Sequence, residues 1–462
     1  MRVIYLDIDT LRADHLGCYG YPRRTSPSID RLAEGAICFD QLYVSDSPCL
    51  PSRTAMFTGR LGVHSGVVNH GGKQAEPFPV GSERERTSVA AETSWPSVLR
   101  RAGLWCATIS TFAERHSAFH WYSGFNEVIN LGTSGLERAD EVGGAAISWL
   151  ERHGADDNWF LHVHFWDPHT PYRTPESYGN PLYDDPVPTW IDESVHALHA
   201  ERTGPHSARQ VWRSGRHHAG RYPRQPLRIA SAGDVQQMYD GYDVGLRYAD
   251  DQIGRILDLL DSLGTADDTA VVLSSDHGET LGELGIYCDH QTADVCTHRV
   301  PGILRWPGIT GTRDPGLHYQ LDLMATVSDL LGQSLPSEWD GISMAGELRR
   351  GERPPGRDSL VLSCGAWAVQ RAVRFGDWLY LRTYHDANHG FPDVQLFDTL
   401  RDPHEQQDLS ASRPDVIGTA ASLLLDWETS AMRRSTSGVD PLWTVLVEGG
   451  GYYVRNDSRR PS

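Results

Sequence analysis

The chain has 462 residues, of which 39% are hydrophobic and 22% charged, and its formal net charge is −19. These values are typical of a globular protein with roughly two to four domains, and the acidic balance argues against partners such as nucleic acid or an anionic membrane. No apolar run approaches the roughly twenty residues of a membrane span, and the N-terminal MRVIYLDIDTLRAD does not resemble a signal peptide, so we expect a cytoplasmic protein.

Predicted strands and helices alternate through the first three quarters of the chain. Strands are expected at 2–8, 104–110, 158–166 and 269–279, and helices at 26–36, 93–103, 138–153 and 235–264. This alternation predicts an α/β fold in which a large, mostly parallel sheet is sandwiched by helices.

The sequence changes character after about residue 355. Short strands with turns and one helix at 414–430 predict a smaller antiparallel α+β subdomain over 355–462, next to a larger α/β domain over 1–350. The arginine-rich stretch 199–228 has no regular spacing of apolar residues, which predicts a surface loop. The Gly- and aromatic-rich tail from residue 440 has no core of its own, which suggests docking on the main body or on a second subunit of a homo-oligomer.

Acidic residues and a histidine stand where two predicted strands end. Asp9 follows the first strand, and Asp276 and His277 lie near the end of the strand at 269–279. Ligands bind at the carboxyl ends of strands in parallel sheets, and carboxylates with one imidazole favour Ca²⁺, Mg²⁺ or Mn²⁺. Asp7 points to the same face as Asp9, one layer deeper, and is either a further ligand or a buried support.

Two other residues stand out for their local setting. His169 is flanked by Pro168 and Pro171, which fix its backbone, as would suit a general acid or an anion donor. Cys49 lies between two prolines at the start of a predicted helix. The other six cysteines are widely spaced and read as core residues in a reducing compartment, because no CxxC pair or disulfide framework appears.

Together these segments resemble a known family, the type I sulfatases of the alkaline phosphatase superfamily. CLPSR at 49–53 is similar to the family's CxPSR signature, and further segments match in the family's order. They are IDTLRADHLGCYGY (8–21), SPSIDRLAEGAICFDQLYV (26–44), FTGRLGVHSGV (57–67), DPHTPY (167–172), SSDHGETLGELG (274–285), RVPGILRWPG (299–308) and LFDTLRDPHEQQDLS (396–410).

The resemblance implies a sulfuric ester hydrolase and a specific chemistry. In the family, the signature cysteine is oxidised to formylglycine by a separate maturase. One hydroxyl of the hydrated aldehyde attacks sulfur, and the second then expels sulfate and restores the aldehyde. A helix N-terminus suits such a nucleophile. The implied substrate is a small sulfated molecule, either a sugar sulfate or an aryl sulfate.

Roles carry over to matching positions of this chain. Asp9, Asp276, His277 and modified Cys49 become ligands of one divalent metal, with Ca²⁺ the first expectation, and Asp7 is the candidate additional ligand. Arg53 supports the nucleophile, because its guanidinium is one helical turn away. His169 binds sulfate or assists the leaving group.

The chain also departs from the family pattern. Thr10 follows Asp9 where the family often has a second aspartate, and two active-site lysines of the family are missing, since Lys73 is the only lysine in the chain. His116 is the candidate for the histidine of the family's GKxH segment, and His290 lies near the place of the second missing lysine.

Four functions remain open on the sequence. The first is a sulfuric ester hydrolase, and the second a phosphonate monoester or phosphodiester hydrolase of the same superfamily. An inactive relative is disfavoured by the intact CLPSR, Asp9, Asp276 and His277. A thiol enzyme that uses Cys49 unmodified needs a paired base within reach.

Overall fold

The computed structural model describes residues 1–78, 92–211 and 221–448. Its strands are β1 Arg2–Ile8, β2 Ile37–Tyr43, β3 Asp46–Ser47, β4 Trp105–Ile109, β5 Glu127–Ile129, β6 Trp159–Phe165, β7 Thr269–Ser274, β8 Thr280–Leu281, β9 Tyr287–Asp289, β10 Arg299–Arg305, β11 Arg313–Tyr319, β12 Ser359–Cys364, β13 Val369–Phe375, β14 Trp378–His385 and β15 Val394–Asp398.

The helices are α1 Pro27–Ala33, α2 Cys49–Thr58, α3 Gly62–Ser65, α4 Trp95–Arg101, α5 Phe112–His116, α6 Ala139–His153, α7 Glu193–Ala200, α8 Ala232–Ser262, α9 Val295–His298, α10 Gln320–Leu330, α11 Ala345–Arg349, α12 Pro414–Arg434 and α13 Pro441–Glu448. Within the described ranges, no helix is both long and apolar enough to cross a membrane.

Eight strands form the central sheet in the order β11-β2-β10-β7-β1-β6-β4-β5. All neighbouring pairs are parallel except those of β10, which runs antiparallel to both β2 and β7. The predicted large, mostly parallel sheet is therefore confirmed.

Side-chain alternation along β1 divides the core into two layers. Val3 and Tyr5 pack on one face with α2, while Ile4, Leu6 and Ile8 pack on the other face with α6 and α8. Strands buried on both faces read as nearly continuous apolar runs, as β1, β6 and β7 do. Asp7 falls on the Val3 and Tyr5 face, which is the face that α2 covers.

A second, five-stranded sheet has the order β15-β14-β13-β12-β3 and forms the smaller subdomain. Its edge strand, β3, comes from the N-terminal part of the chain and pairs in parallel with β12, with Ser363 opposite Asp46 and Cys364 opposite Ser47. Ser47 precedes Cys49 by two residues. The small sheet therefore positions the segment that enters the site helix α2.

Two predicted surface segments are described only in part. Residues 212–220 of the arginine-rich stretch 199–228 and residues after 448 of the tail lie outside the described residues. Within the tail, α13 places Leu442 and Val445 against Val68 and Val369. This part of the tail thus packs on the main body; a homo-oligomer stays a prediction.

Candidate active site

Cys49 is the first residue of α2, and its side chain is buried. Pro48 is the N-cap residue, and Pro51 and Ser52 complete the first helical turn. The Ser52 hydroxyl donates to the backbone carbonyl of Asp276, which ties this turn to the end of β7. The thiol therefore lies at a buried helix N-terminus, as predicted from the CLPSR segment.

Asp9, Asp276 and His277 converge on Cys49 from the ends of two adjacent strands. One ligand atom from each of the four residues lies within 4.8 Å of the others, and all four side chains are buried. His277 Nε2 is 3.1 Å from Cys49 Sγ, and His277 Nδ1 lies 2.8 Å from the carbonyl oxygen of Gly278. The structure thus brings together the four residues predicted as metal ligands by the family resemblance.

Arg53 links three carboxylates beneath this group. Its Nη1 donates to Asp7, its Nη2 lies 3.0 Å from Asp9 Oδ2, and its Nε lies 3.3 Å from Asp276 Oδ2. The guanidinium is fully buried and packs on the ring of Phe112. Three nitrogens in a fixed plane can address three carboxylates at once, which a single ammonium cannot do.

Asp7 lies below the four-residue group and is not part of it. Its Oδ2 contacts Arg53 and lies 3.0 Å from His162 Nε2, whose Nδ1 is 2.8 Å from the Thr108 hydroxyl. This geometry fits a chain in which Thr108 donates to His162 and His162 donates to Asp7. The placement favours a buried support over a metal ligand for Asp7, because Asp7 lies outside the four-residue group and its Oδ2 is engaged by Arg53 and His162.

A second set of polar contacts, centred on His164, lies two residues farther along β6 and nearer the site. His164 Nε2 is 2.7 Å from Arg53 Nη2 and 3.2 Å from Asp9 Oδ2, and its Nδ1 is 2.9 Å from the Ser110 hydroxyl. The shortest of these contacts has Arg53 as donor, which fits a neutral imidazole with the proton on Nδ1. In both sets the histidine lies on β6, and its hydroxyl partner lies on β4 or directly after it. The two sets therefore hold Arg53 and its carboxylates from one side.

His169 and His290 also lie close to Cys49. Cys49, His169 and His290 form a second group of possible ligand atoms within 4.8 Å of one another. His290 Nε2 lies 3.9 Å from Cys49 Sγ, and its ring stacks on that of His277 at 4.1 Å. Both histidines predicted from the sequence are thus placed against position 49.

His116, the third predicted histidine, lies farther from the nucleophile. Its ring packs against His70 at 4.8 Å and Phe112 at 4.6 Å, and its Nε2 has no hydrogen-bond partner among the described residues. His70, which the sequence reasoning missed, accepts a hydrogen bond from Leu50 N. The structure therefore puts His70 between His116 and the first turn of α2.

Burial dominates the electrostatics of the site. Burial, together with Asp9 and Asp276, raises the pKa of the Cys49 thiol well above its usual range. Burial and the nearby Asp276 likewise raise the pKa of Asp9. Burial lowers the pKa of His277 and His169, so both imidazoles are neutral. An unmodified Cys49 would consequently be a weak nucleophile.

His290 differs from the other histidines around Cys49. Burial alone would lower its pKa, but the contact of its Nδ1 with Glu279 and the nearby Asp289 outweigh burial, so the pKa of His290 is raised. A cationic imidazole beside position 49 can donate to an anion or to a leaving oxygen.

Comparison with known proteins decides the family. Residues 2–333 match the family described as Sulfatase. The chain belongs to the sulfatase family. It is 25% identical to a choline-sulfatase of Rhizobium meliloti over 421 residues, covering 83% of this chain and 77% of the relative. It is 26% identical to the human N-acetylgalactosamine-6-sulfatase over 384 residues, covering 76% of this chain and 66% of the relative.

Solved structures support the same fold for this sulfatase. The structure of BT4656 in complex with its substrate D-glucosamine-2-N,6-O-disulfate superposes with a TM-score of 0.75 at 18% identity, covering 95% of this chain and 99% of that one. A phosphonate monoester hydrolase from Silicibacter pomeroyi gives 0.72 at 20% identity, covering 97% and 98%. The predicted enzyme class, a sulfuric ester hydrolase, is confirmed by the family match and its sulfatase relatives.

Proposed function

We propose that this sulfatase hydrolyses sulfate monoesters with a formylglycine hydrate derived from Cys49 and one divalent cation, releasing inorganic sulfate and an alcohol. The observation that carries the proposal is the convergence of Asp9, Asp276 and His277 on Cys49 at the buried start of α2. Formylglycine at this position requires a separate maturase. The raised pKa of the unmodified thiol argues against Cys49 acting as a thiol nucleophile.

The residues present fit a hard divalent cation. Asp9 Oδ2 accepts from Arg53, while Asp9 Oδ1 is buried and has no hydrogen-bond partner among the described residues. Leaving such an oxygen unsatisfied is unfavourable by roughly 1–3 kcal/mol or more, which a cation bound to it would remove. Asp9, Asp276, His277 and an oxygen at position 49 form a ligand set that favours Ca²⁺, with Mg²⁺ and Mn²⁺ as alternatives.

The cation, when bound, would polarise the ester oxygen and lower the pKa of the hydrate. The chain's own residues would do the rest. Arg53 holds Asp9 and Asp276 in place, and the N–H groups of the first turn of α2 favour negative charge at position 49. His290 and His169, which lie close to position 49, would bind the sulfate oxygens or protonate the leaving alcohol.

A small sulfated molecule is the proposed substrate, with sugar sulfates placed first. This choice is supported by the structural likeness to a protein that carries D-glucosamine-2-N,6-O-disulfate as its substrate. Defined sulfated mono- and disaccharides, assayed beside aryl sulfates for sulfate release, would rank these two classes by kcat/KM.

A second candidate is a phosphonate monoester hydrolase. Thr10 stands where the family often has a second aspartate, and its hydroxyl has no hydrogen-bond partner among the described residues. Sulfate monoesters and phosphonate monoesters both carry a single negative charge, so a cation with one carboxylate fewer would serve either ester, and the likeness to the Silicibacter pomeroyi phosphonate monoester hydrolase supports the second.

Paired model esters test the proposal. Protein co-expressed with a maturase and loaded with Ca²⁺ is assayed for sulfate release from an aryl sulfate and for hydrolysis of an aryl phosphonate. We expect the sulfate ester to have the higher kcat/KM, Cys49→Ala to be inactive, and Cys18→Ala, at a half-buried cysteine outside the site, to match the parent enzyme. A higher kcat/KM for the phosphonate would establish the second candidate, and full activity in Cys49→Ala would contradict both.

A further inference from the structure

The three histidines that contact or surround Cys49 share one hydrogen-bonding arrangement. In each, Nδ1 faces an acceptor: the Thr170 carbonyl for His169, the Gly278 carbonyl for His277 and the Glu279 carboxylate for His290. With Nδ1 engaged in this way, Nε2 is the ring nitrogen that a metal could bind, after release of any proton that His290 carries there. The Nε2 atoms of His277 and His290 face Cys49 Sγ at 3.1 and 3.9 Å.

This arrangement is characteristic of histidines that bind a metal. Metal-ligating imidazoles usually donate their second ring N–H to a carbonyl or a carboxylate, which fixes the tautomer and the ring orientation. His290, held by Glu279, has the carboxylate–histidine form of this pattern, and His169 has the carbonyl form. A cation bound through Asp9 and Asp276 does not require these hydrogen bonds of His169 and His290.

The donor atoms in the chain as translated are also different from those of the mature site. Before conversion, position 49 offers sulfur rather than oxygen, and Cys49, His169 and His290 form a second buried group, which shares Cys49 with the group that contains the two aspartates. Thiolate with imidazole is a zinc donor set, whereas carboxylate with a hydroxyl oxygen suits Ca²⁺ and Mg²⁺.

The distances are compatible with zinc. Tetrahedral Zn²⁺, with Zn–S of about 2.3 Å and Zn–N of about 2.0–2.1 Å, separates its sulfur and nitrogen donors by about 3.5 Å. The observed separation of Cys49 Sγ and His290 Nε2 is 3.9 Å, and all three donor atoms lie within 4.8 Å of one another. The 4.8 Å bound exceeds the tetrahedral spacing by about 1.3 Å, a gap that side-chain rotations could close.

We infer that Cys49, His169 and His290 form a Zn²⁺ site in the unconverted protein, and that conversion of Cys49 to formylglycine abolishes it. Zn²⁺ would bind the Cys49 thiolate and the two Nε2 atoms, with the thiol proton and any Nε2 proton of His290 released to solvent and no change of oxidation state. The inference does not depend on the proposed hydrolysis, because it concerns the chain before Cys49 is modified.

Co²⁺ is the probe for the test, because a cobalt–thiolate bond gives a charge-transfer absorption in the near ultraviolet. Full-length protein made without a maturase is titrated with Co²⁺ and then with Zn²⁺. We expect one equivalent of Co²⁺ to produce the band and Zn²⁺ to displace it. The band should vanish in Cys49→Ser and persist in Cys18→Ser, the control at the half-buried cysteine.

Histidine and aspartate variants separate the two groups that share Cys49. His169→Gln and His290→Gln should each raise the Co²⁺ Kd at least roughly tenfold, while Asp9→Asn should leave it within about twofold. Loss of the band in Asp9→Asn with no change in the histidine variants would overturn the inference, and so would a band that survives in Cys49→Ser.

A measurement without any substitution guards against misfolded variants. The unconverted parent protein is alkylated with and without Zn²⁺, and the tryptic peptide 32–53, which contains Cys38 and Cys49, is analysed by mass spectrometry. Zn²⁺ should slow alkylation of Cys49 at least roughly tenfold relative to Cys38. Equal rates with and without Zn²⁺ would refute the site.

Discussion

Replacement of Arg53 by lysine tests whether this guanidinium organises the site. The substitution keeps one positive charge but replaces three separated nitrogens with a single one. In the structure those nitrogens contact Asp7, Asp9 and Asp276, and one of them also contacts His164. A lysine ammonium is a compact point charge, so it can face one or two of these carboxylates but not all three.

The geometry sets the expected size of the effect. At least one hydrogen bond between charged groups is lost, and such a bond is worth about 1.5–3 kcal/mol. If that loss is expressed in the transition state, kcat/KM falls roughly 10- to 150-fold, since each 1.36 kcal/mol corresponds to about tenfold. Loosened aspartates also predict a higher Kd for Ca²⁺.

The assay is initial-rate hydrolysis of an aryl sulfate by the matured, Ca²⁺-loaded enzyme, together with a Ca²⁺ titration. Arg60→Lys is the matched control, because Arg60 lies just beyond the C-terminus of the same helix and donates to the His64 carbonyl. Its kcat/KM should stay within about twofold of the parent value. A similar result for Arg53→Lys, in protein with fully converted position 49, would refute the organising role.

Three further predictions concern His290, His164 and Glu283. His290→Gln should lower kcat roughly 10²- to 10⁴-fold on alkyl sulfates and much less on nitrophenyl sulfate if His290 protonates the leaving oxygen; an equal loss on both, measured by initial rates, would exclude that role. His164→Gln should raise the Ca²⁺ Kd roughly 10- to 100-fold by loosening Arg53, which holds Asp9, as measured by titration; an unchanged Kd would show that His164 only fills space. Burial alone would raise the pKa of Glu283, but Arg12 and His404 lower it below its usual value. The ionised Glu283 therefore stabilises the fold at pH values above the pKa that it has in the unfolded chain, and this stabilisation is lost as the pH falls toward its pKa in the folded protein. Glu283→Gln should therefore reduce the free energy of unfolding by about 3–5 kcal/mol at pH 7, and denaturant titrations should show that difference narrowing toward pH 3, whereas a constant difference would rule out the ion pair as its cause.

The functional residues at the ends of the strands were predictable, because parallel sheets bind ligands at the carboxyl ends of their strands. Asp9, Asp276 and His277 follow apolar runs in the sequence, and Cys49 begins a helix marked by prolines. The structure brings these four residues together. Their separation of more than 200 residues along the chain did not hide them, since the alternation of strands and helices already predicts which edge they share.

The residues inside strands could not be recognised in the same way. His162 and His164 alternate with apolar residues in NWFLHVHFW, a pattern that equally describes a buried strand with two satisfied histidines. Their function depends on which neighbour lies beside them, and only the register of β1, β6 and β4 shows that they meet Asp7, Asp9 and Arg53. Local patterns carry no register between distant strands.

Two features of the topology were also beyond the sequence. RVPGILRW reads as a strand but does not reveal that it runs antiparallel to its neighbours β2 and β7. The two-residue strand Asp46–Ser47 has too little pattern to predict its pairing with Ser363 and Cys364. That pairing joins the C-terminal sheet to the entry of α2, so the division into 1–350 and 355–462 stays a prediction about domains.

The state of residue 49 in active enzyme tests the central claim most directly. Trypsin releases residues 32–53 as one peptide, in which Cys38 serves as an internal reference for alkylation. We expect active, co-expressed protein to yield a peptide that is about 18 Da lighter at position 49 and is alkylated only at Cys38. A fully active preparation in which Cys38 and Cys49 are both alkylated would contradict the account.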